Sequence, residues 1–86
     1  MPAISRFLGI TIYMYWQDHA PPHIHAVKGG REAIFEIRTA ALVHGRLPAD
    51  DMYRVAAWIT LRRDELLDDW RLARDGKALK KIRPLA

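Results

Sequence analysis

The sequence predicts an α+β domain in which a small antiparallel sheet is covered by helix. Three observations carry this expectation. Apolar and polar residues alternate through much of the first half, as half-buried strands require. A Gly29-Gly30 pair separates two such runs, which is a two-residue hairpin signal. From Met52 onward the apolar residues recur at helical spacing. The expected order is β-β-β-(β)-α: three to four strands packed on one long bent helix or on two C-terminal helices.

Residues 9–16 form the first expected strand, rich in β-branched and aromatic types. Ile10, Ile12, Met14 and Trp16 share one face; Thr11, Tyr13 and Tyr15 share the other. Pro21 and Pro22 break the pattern, because proline lacks the backbone donor that a ladder needs. A second strand begins near His23 and runs to about Lys28, and a third runs from Arg31 to about Thr39. The glycine turn sets their register. Lys28 should face Arg31, and each step outward should bring His25 opposite Ile34, Ile24 opposite Phe35 and His23 opposite Glu36. Ile24, Ala26, Ala33, Phe35 and Ile37 then lie on one side. His23, His25, Val27, Glu32, Ile34, Glu36 and Arg38 lie on the other. Residues 40–46 allow a short fourth strand before Gly45.

Pro48 suits the start of a helix, and Asp50 and Asp51 suit the positive end of its dipole. Met52, Val55, Ala56 and Ile59 form an apolar stripe that Leu66, Trp70 and Ala73 continue. Polar residues from Thr60 to Glu65 interrupt it, so a bend or a break is expected near 61–64. Trp70 is expected in the core, and Trp58 exposed or over the sheet edge. Gly76 is a natural stop. The tail beyond it is cationic, with Leu79, Ile82 and Leu85 as apolar anchors.

Eighty-six residues make one domain. It divides into a strand-rich part at 1–46, a helical part at 48–75 and a basic tail at 76–86. The chain has no cysteine, which excludes disulfides, thiolate-ligated zinc and a cysteine nucleophile. The N-terminal residues do not have the pattern of a signal peptide, and no apolar run reaches the ~20 residues of a membrane span. A cytoplasmic protein without membrane contact is expected. The net charge of +4 is unevenly spread: residues 49–70 carry a net of −3 and residues 71–86 a net of +5. A basic end of this kind suits phosphate backbones or an acidic partner protein.

The residues with most chemical potential are clustered. Three of the four histidines lie in Asp18-His19-Ala20-Pro21-Pro22-His23-Ile24-His25. His23 and His25 are two apart on a strand, so their rings leave the same face, about 6.5–7 Å apart along it. Tyr13, Tyr15, Glu32, Glu36 and Arg38 are expected on that face too. Such a set can transfer protons and hold an anion. His23 and His25 would be an acid/base pair, with Tyr13, Glu36 and Arg38 as auxiliaries: Glu36 orienting His23, Arg38 stabilising developing charge on a cleaved RNA phosphate. Tyr15, stacking on bases, with Lys77, Lys80, Lys81 and Arg83 would contact nucleic acid or a partner. The same histidines can instead chelate a divalent transition metal, with His19 or Asp18 joining His23 and His25. They can also simply tie a loop together. All three readings stay open on the residues alone, and no cofactor is required by any motif.

Several blocks taken together carry a resemblance. They are Met1-Pro2-Ala3-Ile4-Ser5-Arg6-Phe7, Asp18-His19-Ala20-Pro21-Pro22-His23-Ile24-His25-Ala26, Gly45-Arg46-Leu47-Pro48, Arg63-Asp64-Glu65-Leu66-Leu67-Asp68-Asp69-Trp70 and Leu79-Lys80-Lys81-Ile82. In this order the chain resembles a bacterial family called domain of unknown function 4160. The most specific block is Pro21-Pro22-His23-Ile24-His25. Ile24 stands where an aromatic is common and Arg62 where a histidine is common. The resemblance implies a toxin-like component of a two-protein toxin–antitoxin module, paired with a small antitoxin-like protein of the family called domain of unknown function 2442. It carries over no catalytic residue. Three functions from different classes follow: a toxin-like protein acting on RNA through the histidine pair as a metal-independent ribonuclease, a non-enzymatic nucleic-acid- or protein-binding regulator, and a small metal-binding protein. Exposed strand edges also allow a homodimer.

Overall fold

A computed structural model describes residues 2–85. Five strands precede one helix: β1 (Ala3–Phe7), β2 (Ile10–Tyr13), β3 (His23–Lys28), β4 (Arg31–Glu36), β5 (Leu42–Gly45) and α1 (Ala49–Arg74). The strands form a single antiparallel meander in chain order. The domain is therefore α+β, as the sequence indicates, with one more strand than the upper expectation.

The β3–β4 hairpin has the register set by its turn. All six expected pairs occur, from Lys28 opposite Arg31 to His23 opposite Glu36. Gly29 has φ +60° whereas Gly30 stays outside the positive region, a pattern that fits a type II′ turn. Ile24, Ala26, Ala33, Phe35 and Ile37 are all buried on the helix side. The strand itself ends at Glu36, short of the expected Thr39.

Strand β1 is the unexpected element. It returns to β2 through Leu8 and Gly9, both at positive φ (52° and 79°). That is a primed-turn geometry entered by leucine, a residue seldom used there. The β2 strand stops at Tyr13, so the alternation does not hold to Trp16. Ile10, Ile12 and Met14 are buried, but Trp16 lies exposed and donates its indole N–H to Lys77 O at 2.8 Å.

The helix spans 26 residues but is kinked at Arg62, whose φ of −113° and ψ of 19° are not helical, so two helical segments meet there. Thr60 Oγ1 donates back to Ala56 O at 2.9 Å just before the bend, a bond that often curves helices. At the far end Gly76 (φ +68°) closes a Schellman motif: Gly76 N–H donates to Ala73 O and Lys77 N–H to Leu72 O.

Trp58 takes the second of its two expected places, over edge strand β1, and is not exposed. It is fully buried, tilted against Phe7 at 5.3 Å, and donates its indole N–H to Arg83 O at 2.8 Å. Its partner is the tail, which adds apolar cover that helical periodicity does not anticipate. The tail docks without regular structure: Ile82 is buried and its N–H donates to Ile4 O at 2.8 Å. Trp70 is in the core, as expected.

Two acids are buried in the helix. Asp51 accepts from Lys28 Nζ at 3.0 Å and Arg54 Nη1 at 2.9 Å, clamping the β3–β4 turn to the first helical turn. Its carboxyl lies below the ordinary value, first because of the Lys28 hydrogen bond and despite burial. Asp69 accepts from Lys80 N–H at 3.0 Å, while its Oδ2 is buried with no hydrogen-bond partner among the described residues. Burial therefore holds the Asp69 carboxyl above the ordinary value. Among the described residues, no helix is long and apolar enough to cross a membrane.

Candidate functional site

The segment between β2 and β3 is pinned at both ends. Gln17 N–H donates to Ala73 O at the end of α1 (3.1 Å), and the Trp16 indole bond to Lys77 O lies beside it. At the other end, Ile37 N–H donates to Pro22 O at 3.0 Å, joining the segment to the continuation of β4. The Ala20–Pro21 peptide is cis. This arrangement folds Asp18 back over the first residues of β3.

Asp18, His23 and His25 converge there. One ligand atom from each lies within 4.8 Å of the other two. Asp18 Oδ2 is 2.9 Å from His23 Nε2 and 3.5 Å from His25 Nε2. Asp18 Oδ1 accepts the His19 backbone N–H at 2.8 Å. The other ring nitrogens are also engaged. His23 Nδ1 lies 2.8 Å from Pro21 O, and His25 Nδ1 lies 3.1 Å from Glu32 Oε2. A peptide carbonyl and a carboxylate accept but do not donate. Asp18 is also an acceptor, so the His23 ring, and by distance the His25 ring, meets protein acceptors at both nitrogens. A neutral ring that keeps its proton on Nδ1 turns an Nε2 lone pair toward Asp18, and a ring protonated on Nε2 donates to it; both Nε2 atoms face the same carboxylate oxygen. His25 Nε2 is buried with no hydrogen-bond partner among the described residues.

The surroundings are negative and nearly closed. His23 is buried, with a side chain 6% exposed and a ring 5.1 Å from that of Trp70; the His25 side chain is 13% exposed. Tyr15 stands edge-on to His25 at 4.5 Å and stacks on Tyr13 at 6.4 Å. Burial, then Glu32, then Tyr13 and Asp18, raise the Tyr15 phenol above its ordinary value. Burial also pushes the Asp18 carboxyl up. The His19 backbone N–H and the His23 and His25 rings outweigh that, and the net direction is down.

The other expected site residues divide. Tyr13 and Tyr15 belong to the cluster. His19 lies at its rim: its ring stacks on His23 at 5.2 Å but its side chain is 84% exposed, and Nε2 is 3.8 Å from Asp18 Oδ1. Glu36 sits opposite His23 in the ladder, yet its Oε1 accepts from Thr39 Oγ1 at 3.4 Å while the His23 ring turns to Asp18. Arg38 lines a separate cleft. Lys77, Lys80, Lys81 and Arg83 are exposed on the docked tail, and Lys81 Nζ donates to Ala3 O.

Glu32, the partner of His25, was placed by the sequence only as a member of that face. The register could have found it: Glu32 is two residues from Ile34, which pairs with His25, and such diagonal neighbours are within reach of long side chains. Nothing in the spacing of Asp18 shows that its loop doubles back, so it stood there only as an alternative to His19.

A family model described as Domain of unknown function (DUF4160) matches residues 9–71. The chain belongs to this family. The matched stretch contains Asp18, His23, His25 and Glu32. No curated protein and no solved structure matches the chain.

Proposed function

We propose that this member of the DUF4160 family binds one divalent transition metal through Asp18, His23 and His25. The observation that carries the reading is the convergence of two Nε2 atoms on one carboxylate oxygen, with both Nδ1 atoms facing other acceptors. With the proton of each neutral ring on Nδ1, three acceptors face each other and repel unless a cation lies between them. In a tetrahedral zinc site with bonds of about 2.0–2.1 Å, ligand atoms sit about 3.3 Å apart. The spacings of 2.9 and 3.5 Å already bracket that value. Pro21 O and Glu32 supply the acceptors that fix the tautomer and orientation of metal-bound histidines. Two imidazoles and one carboxylate suit zinc, iron, manganese, nickel or copper rather than calcium or magnesium. Three protein ligands also leave room for solvent or substrate, as catalytic sites do.

The geometry favours this over a metal-free acid/base pair. All four ring nitrogens of His23 and His25 face protein oxygens. Neither ring presents a nitrogen outward to a substrate.

Metal analysis of untagged protein purified without chelator tests the proposal. The expected result is about one equivalent of a single transition metal per chain, lost in His25→Ala. A protein free of metal, which also takes up none from micromolar zinc or manganese, overturns it.

The second reading is a toxin-like protein acting on RNA, with a small protein of the family called domain of unknown function 2442 as its antitoxin. Its support is the resemblance, together with a basic surface that includes three arginines around one cleft. Induced expression should then arrest growth, and co-expression of the partner should relieve the arrest. Indifference of growth to induction contradicts it.

A further inference from the structure

The cleft lies beside the metal-ligand loop, between that loop and the C-terminal half of α1. Its volume is about 570 Å³. Pro21, Pro22, Leu67 and Trp70 provide apolar walls, and Arg38, Arg71 and Arg74 provide charge. No acidic side chain lines it. Arg71 is paired with Asp68 at 2.6 Å. Arg38 and Arg74 have no ion-pair partner among the described residues. They come from separate elements, one just beyond β4 and one at the end of α1, yet border the same space.

Two unpaired guanidinium groups beside an apolar wall define a ligand of two parts: an anion with several oxygens and a flat, weakly polar body. Guanidinium forks match phosphate oxygens. Proline and tryptophan surfaces take the face or edge of a base. A cavity of this size lies within the range of small-ligand sites. We propose that the cleft is a nucleotide subsite, with the phosphate on Arg38 and Arg74 and the base against Pro21 and Pro22. The subsite shares the Trp70 wall with His23 but needs no metal, so it stands apart from the proposal above. The nucleotide can be free or a unit of a single strand; the recognising chemistry is the same.

The test is fluorescence anisotropy of a fluorescein-labelled, mixed-sequence ten-nucleotide RNA with the full chain. Protein is treated with EDTA, so absence of metal binding does not affect the result. Wild type should bind at 50 mM salt. Arg38→Ala and Arg74→Ala should each weaken binding about tenfold and reduce the salt slope by about 0.7. Arg71→Ala should cost less, and Arg46→Ala, beside the N-terminal end of α1, should stay within about twofold of wild type. Full displacement by millimolar 5′-AMP identifies a free nucleotide as sufficient; displacement only by unlabelled RNA identifies a strand. Either supports the subsite. Three outcomes overturn it. Wild type does not bind the RNA; or both arginine variants bind like wild type; or a polyglutamate of equal charge displaces the probe as well as RNA does, which reduces the cleft to a general anion surface.

Discussion

Glu32 is the sharpest lever on the proposed metal site, because it touches the site without being a ligand. Its Oε2 accepts the His25 Nδ1 proton at 3.1 Å, and its side chain is 46% exposed. Removing an acceptor of this kind typically lowers metal affinity about 10–100-fold, or about 1.4–2.7 kcal/mol. Solvent screens the charge on a half-exposed carboxylate, so the lower end of that range applies. Glu32→Ala, which removes the acceptor, should weaken zinc binding about tenfold. Glu32→Gln retains an acceptor oxygen and loses only the charge, so about threefold is expected. The assay is competition between protein and a chromophoric zinc chelator at neutral pH. Thermal unfolding of the metal-free variants should show a stability change within about 0.5 kcal/mol, as for other surface substitutions. Wild-type zinc affinity in Glu32→Ala would refute the reasoning, since it would mean that the proton on Nδ1, and hence the lone pair on His25 Nε2, is not set by Glu32.

Other predictions concern the fold that holds the site. A Cβ at Gly45, where φ is +75°, would lie 2.1 Å from Glu32 O, so Gly45→Ala should destabilise by more than about 2 kcal/mol in urea unfolding; Gly30, with open space around it, should tolerate alanine with a change of at most about 1 kcal/mol. Trp58→Phe removes the indole bond to Arg83 O as well as packing volume; a loss of about 1–3 kcal/mol is expected, with faster amide exchange at Ile82. The two buried acids act in opposite directions with pH. The depressed Asp51 value means that its ion pairs stabilise the fold fully above the ordinary Asp value of about 3.9, and that this is lost as pH falls through the folded value; Asp51→Asn should therefore flatten the acid limb of stability against pH. The raised Asp69 value means that ionising it costs stability as pH rises from about 3.9 through the folded value, so the stability of Asp69→Asn relative to wild type should increase over that rise. A difference that is constant with pH would contradict either assignment.

The central hairpin was legible because two independent signals agreed. The glycine pair fixed the register, and a one-residue slip would have put Phe35 and Ile37 among the histidines. The break in the helix was legible because polar residues from Thr60 to Glu65 interrupt a clear stripe, which left open whether one bent helix or two would form. Strand β1 was not, because Leu8-Gly9 lacks the residue types that announce a primed turn. Trp58 was legible only as cover for the sheet edge; its full burial was not, because the rest of its cover comes from a tail with no periodicity of its own. The burial of Asp51 and Asp69 was not legible, since only the distant Lys28 and the Lys80 backbone make it tolerable. The same limit applies at the site. Strand geometry put His23 and His25 on one face, and the register put Glu32 within reach of His25. The doubling-back of the Asp18 loop depends on bonds from Gln17 to Ala73 and from Pro22 to Ile37, contacts across the fold that no local spacing encodes.

The claim that both Nε2 lone pairs are directed at one cation is open to direct observation at those atoms. Long-range proton–nitrogen correlation spectra of protein labelled with 15N in histidine report which ring nitrogen carries the proton. The account predicts protonated Nδ1 in His23 and His25, and Nε2 resonances of both that shift together and saturate at one equivalent of zinc, while His44 stays unchanged. Nε2-protonated rings in the zinc-treated protein, or Nε2 signals indifferent to zinc, would contradict it.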